Sequence, residues 1–73
     1  MQTWPIATAK DFGAALRAKR KSEGLTQREL ALATGAGERF IVELESGKET
    51  ARLGKALEVA AALGMAIILA DAD

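Results

Sequence analysis

The sequence has no cysteine, no histidine and no tyrosine, only one proline and one tryptophan, and its ten basic and ten acidic side chains cancel. Each absence removes a class of explanation. Without thiolates or imidazoles there is no disulfide and no ordinary zinc site, so neither a metal nor a cofactor is expected. A general base would have to be a carboxylate or lysine in a pocket that 73 residues are too few to enclose, so an enzyme is not expected. No run is long and apolar enough to span a bilayer, and no segment combines a charged start, an apolar stretch and a small-residue cleavage site. With the missing cysteines, this predicts a cytoplasmic protein without a membrane partner.

What is abundant is alanine, which supplies 16 residues of an apolar fraction of 49%. Alanine favours helix while filling little volume, so a mainly α domain with closely approaching helices is expected. A domain of this size removes only roughly 60% of its unfolded surface from water. With disulfides and metal unavailable, oligomerisation or a binding partner is the remaining source of stability, which makes self-association an expectation.

Charge is unevenly placed along the chain. Lys10, Arg17, Lys19, Arg20, Lys21 and Arg28 face only Asp11 and Glu23 in the same stretch, whereas the balance from residue 29 onward is acidic. Such asymmetry predicts one positive and one negative side. Bulk charge alone would not hold the protein on nucleic acid.

Pro5 biases Trp4 away from helix, so residues 1–7 read as an extended arm, with Trp4 either a frayed end or an anchor for a partner. Thr8 and Asp11 have capping-box spacing, and Phe12, Ala15 and Leu16 follow at helical spacing, giving a first helix to Lys21 that ends at Glu23-Gly24. Thr26 and Glu29 form a second capping box, which starts a short helix at Gln27 that stops at Thr34-Gly35. A third helix opens after Gly37 and runs through Phe40, Ile41 and Leu44 to Glu45. Thr50 is placed to cap a fourth helix, on which Leu53, Leu57, Ala60 and Leu63 make an apolar stripe closed by Gly64. The segment 65–70, MAIILA, is too short for a buried helix and reads as a strand, followed by a polar tail at 71–73.

Two short helices joined at a glycine form a helix-turn-helix pattern. Leu30 and Ala31 fall where the two helices meet, Ala31 must be small to let them approach, Gly35 sits where a positive φ is needed, and Ile41 and Leu44 share one face. On these residues the stretch TQRELALATGAGERFIVELESGK resembles the Cro/repressor-type DNA-binding family, a resemblance that extends over roughly residues 8 to 64. Thr34 stands where that family often has an aliphatic residue, which predicts looser packing there.

The ending LGMAIILADAD resembles antitoxins of HipB type, in which a short C-terminal strand pairs with its counterpart across a two-fold axis. A lone strand in a helical domain leaves backbone groups unpaired on both edges, and a second copy can cover them. The expected fold is therefore a four-helix repressor-like domain at 8–64 with a dimerisation strand at 65–70, placing Met65, Ile67, Ile68 and Leu69 at the dimer interface. The alternative is a strand folded back on its own domain.

In a helix-turn-helix the second helix puts its first outward residues at the base edges. Those residues are Glu38, Arg39 and Glu43: the arginine can bond guanine bidentately and the glutamates can accept from cytosine. Phe40 either meets a thymine methyl or packs beside Ile41. Two acids beside one base would repel phosphates, so affinity must come from the flanks. Gln27 and Arg28 stand at a helix N-terminus, and Lys48, Thr50 and Arg52 follow the third helix. The resemblance further implies a structural salt bridge between Arg20 and Glu45.

These residues point to a sequence-specific repressor binding double-stranded DNA as a homodimer. The HipB resemblance implies the antitoxin of a toxin-antitoxin pair that represses its own operon and neutralises a HipA-type kinase toxin. A stand-alone regulator without a toxin, and an interaction module that no longer binds DNA, remain the alternatives.

Overall fold

Thr8 ends the extended arm and starts the first helix: its hydroxyl accepts from the Asp11 amide at 3.0 Å, and the Asp11 carboxylate accepts from the Thr8 amide at 3.2 Å. The computed structural model describes residues 2–72, so Met1 of the expected arm and Asp73 of the expected tail lie outside the described residues. The helices are α1 (Ala9–Ser22), α2 (Gln27–Thr34), α3 (Glu38–Glu45) and α4 (Leu53–Ala62). The first two follow the capping signals of the sequence closely, and α3 opens after Gly37 as expected without a side-chain cap. Both predicted capping boxes form, and Gly35 takes the left-handed φ of +69° that ends α2.

One core holds the helices together. Leu16, Leu30, Ala31, Ile41, Leu44, Ala56, Val59, Ala60 and Leu63 are buried in a single cluster, with Phe12, Leu25, Phe40 and Met65 packed at its margin. Close approach of α1 to α3 is enforced at Gly13, where an added methyl would land on the Leu44 carbonyl and lie 2.8 Å from that of Glu45. The chain's small residues thus serve as contact points, as the alanine content predicts.

Two expectations about α4 are corrected. Thr50 does not cap it: Arg52 is the N-cap and no side chain bonds the first turn. The half-buried Ala51 turns into the core, with its amide 3.4 Å from the Lys48 carbonyl, so the helix begins later than Thr50 would place it. The buried face is Ala56, Val59, Ala60 and Leu63, while Leu53 and Leu57 remain 68% and 42% exposed. Apolar residues cover more of α4 than the core can take, and the smaller set packs inward because it allows closer approach.

The predicted strand at 65–70 is also absent: no residue from Met65 to Ala70 has regular secondary structure. A strand exists only where a neighbour completes its ladder, and no other strand occurs among the described residues of the chain. Met65 packs against its own core, its amide bonded to the Ala60 carbonyl at 3.0 Å, whereas Ile67, Ile68 and Leu69 are exposed. Folding of this segment back as a strand on its own domain does not occur either.

Candidate nucleic-acid interface

The turn between α2 and α3 is tied down from both sides. The Thr34 hydroxyl donates to the carbonyls of Leu30 and Ala31 and accepts from the Ala36 amide at 3.3 Å, so the polar residue stitches the turn instead of loosening it. From the other side, the Lys55 ammonium donates to the Ala36 carbonyl at 3.1 Å and lies 4.7 Å from the centre of the Phe40 ring. Phe40 is thereby held at the margin of the core, beside Ile41 as one of the two expected arrangements has it.

The inner face of α3 is Ile41, Leu44 and Glu45, all buried. Glu45 is charged, and its neighbours compensate it. It accepts from Arg20 Nε at 2.7 Å and Nη2 at 3.0 Å, and from the Gln27 amide at 3.1 Å, while Arg20 Nη1 donates to the Leu25 carbonyl at 2.7 Å. The hydrogen bond to Glu45 holds the Arg20 guanidinium above its ordinary pKa, with burial acting against it. Helix α3 is thus fixed to both α1 and α2 by one satisfied network.

With that face inward, the outward face of α3 carries Glu38, Arg39, Val42 and Glu43, with Ser46 exposed just past its end. The Arg39 side chain is 91% exposed and reaches only a loose pair with Glu43 at 3.7 Å. Glu43 is also 3.2 Å from the Lys48 ammonium, so it sits between two cations rather than presenting free charge. Arg28 and Glu38 line one shallow cleft with Leu32, Gly35 and Gly37, which places the start of α2 beside the start of α3. Of the sequence-predicted residues, the structure brings Arg28, Glu38, Arg39, Glu43 and Lys48 onto neighbouring surface; Thr50 and Arg52 are exposed beyond it. Gln27 stands apart, half-buried with its side chain spent on Glu45, leaving only its backbone to meet a phosphate.

The sequence reasoning passed over Val42, which is 42% exposed on the outward face. A signal was available: Phe40, Ile41 and Val42 are consecutive, and three neighbours on a helix cannot all point to one side.

Residues 16–68 match the family described as helix-turn-helix. The chain belongs to the helix-turn-helix family of DNA-binding regulators. It is 51% identical over 69 residues to an uncharacterized HTH-type transcriptional regulator, y4mF, of Sinorhizobium fredii, covering 93% of this chain and 91% of that protein. Among solved structures it is similar to a HipB variant in complex with an O2 20mer, with a TM-score of 0.89 and 24% identity over 99% of this chain and 100% of that one. It is likewise similar to a chain of a HipA-HipB-O2-O3 complex, with a TM-score of 0.86 and 23% identity over the whole of both chains. At these identities the likeness to the solved structures concerns the fold, and it extends through the C-terminal segment. No helix among the described residues is long and apolar enough to cross a membrane.

Proposed function

We propose that this helix-turn-helix regulator is a homodimeric, sequence-specific repressor acting in the cytoplasm, and that it is the antitoxin of a HipBA-type pair, binding a HipA-type kinase toxin. The observation that carries the DNA-binding part is the outward face of α3, where an almost fully exposed Arg39 stands on a helix locked from behind by Arg20 and Glu45. Arg39, Glu38 and Glu43 meet base edges in the major groove, while Arg28, Lys48, Thr50, Arg52 and the Gln27 backbone meet phosphates. Glu43 holds Arg39 and Lys48 in place as well as offering a carboxylate to cytosine.

The dimer is supported by apolar surface that one copy leaves in water. Ile68 is 76% and Leu69 97% exposed, and Ile67, Leu53 and Leu57 are exposed too. Pairing of residues 65–70 with their counterpart in a second copy supplies the ladder partner that a single chain lacks. The toxin partner rests on the likeness to HipB, which occurs with HipA in a solved complex of the same fold.

The test is purification of the tagged protein from its native host, with identification by mass spectrometry of whatever co-elutes in stoichiometric amount. A kinase-like partner is the expected result. A dimer that emerges alone and binds DNA from upstream of its own gene establishes the stand-alone regulator instead.

A further inference from the structure

Val42 is the one large apolar side chain exposed on the outward face of α3 among the described residues; the other exposed apolar residues lie on α2, on α4, in the N-terminal arm or near the C-terminus. It stands one turn from Arg39 and one turn from Ser46, both exposed, and beside Glu43, which lies between the cationic Arg39 and Lys48. Stability does not explain a valine there. Its β-branch makes it a poorer helix former than alanine, the residue this chain uses most freely, and its side chain adds little to the core.

We propose that Val42 is a specificity-determining residue that packs against the C5-methyl group of a thymine in the major groove. The inference rests on the DNA-binding function proposed above and adds the chemical group that is read. Among the base edges open in the major groove, that methyl is the apolar feature. A stiff branched side chain next to an exposed guanidinium suits a thymine beside a guanine: Arg39 bonds the purine while Val42 excludes water from the methyl.

The test uses duplexes that the wild-type protein selects from a random DNA pool, in which each thymine is replaced in turn by deoxyuridine, removing only the methyl. Binding of the wild type, Val42→Ala and Val42→Thr is measured by fluorescence anisotropy, with circular dichroism to verify folding. At one thymine per half-site, deoxyuridine should weaken the wild type by about fourfold per methyl and leave Val42→Ala unchanged. Val42→Thr, which keeps the branch and one methyl, should retain part of the response and reports on the contact should the alanine variant not fold. An equal response of wild type and variants at every thymine overturns the Val42 contact and leaves DNA reading intact. Failure of the wild type to select any sequence overturns the DNA-reading function and the contact with it.

Discussion

The Arg20 guanidinium and the Glu45 carboxylate, 25 residues apart in the chain, meet through two hydrogen bonds of 2.7 and 3.0 Å inside the domain. Arg20 lies in the last turn of α1 and Glu45 closes α3, so the pair fixes the direction in which the outward face of α3 points. A buried ion pair gains little over a well-packed apolar pair, but its directional geometry tolerates few alternatives. Orientation of α3, the helix proposed to read DNA, is therefore the role that fits its position.

Breaking this pair from one side should be costly. Glu45→Ala leaves the guanidinium buried without its carboxylate, which costs about 3 to 5 kcal/mol, comparable with the whole stability of a domain this small. Urea unfolding followed by circular dichroism should show a collapse of the midpoint for Glu45→Ala. The double replacement Arg20→Met with Glu45→Leu should recover most of it, and a double variant as unstable as the single would show that the pair's energy lies elsewhere.

Two glycines in helices should respond in opposite directions to alanine. At Gly13 the new methyl meets backbone carbonyls of α3, which cannot move without shifting the helix, so Gly13→Ala should destabilise by about 1 to 3 kcal/mol despite alanine's better helix propensity. At Gly54, in the first turn of α4, nothing lies within 4 Å of the added carbon, and Gly54→Ala should stabilise by about 0.4 to 1 kcal/mol. Thermal melts of the two variants, side by side, measure both.

The contrast between these glycines marks how far the sequence could be read. Thr8 with Asp11, and Thr26 with Glu29, announce α1 and α2 because a capping box is local: both partners lie within one turn. Gly13 and Gln27 were not legible, since their roles depend on α3 crossing at a distance that no local pattern encodes. Leu53 and Leu57 misled because a helical period shows that a stripe exists without showing which edge of it faces the core. For the candidate interface, the outward placing of Arg39 follows from helical phase and that of Lys48 from its position just past α3, whereas the placing of Glu43 between them needs side-chain geometry. The strand at 65–70 failed for a different reason: an apolar, partly β-branched segment becomes a strand only beside a partner strand, and none occurs among the described residues.

Acid should weaken the domain through its two caps. Backbone hydrogen bonds, from Ala7 to Asp11 and from Thr26 to Glu29, hold both carboxyls below their ordinary values of 3.8 and 4.5. A lowered native pKa means that the unfolded chain binds protons more readily, so this contribution is complete above the ordinary values and is lost as pH falls through the lowered ones. The melting temperature should decline on acidification from pH 5 to pH 3, and less steeply in a variant carrying Asp11→Asn and Glu29→Gln. An unchanged slope in that variant would mean that the caps do not titrate on unfolding.

Phosphate contacts and base contacts should separate by salt and by sequence. Arg28 and Lys48 flank α3 on neighbouring surface and are phosphate contacts in the proposed interface, so replacing either with alanine should remove one counterion-releasing contact per subunit. The slope of log affinity against log salt should flatten by about 0.9 per lost contact, while the selected sequence stays the same. Arg39→Ala should do the reverse for a guanine contact, relaxing preference at one position per half-site at a cost of about 1 to 3 kcal/mol. Measuring binding at several salt concentrations on selected and scrambled duplexes distinguishes the two effects. If Arg39→Ala lost affinity equally on both duplexes, α3 would be gripping the backbone, and the sequence would have to be read by other residues.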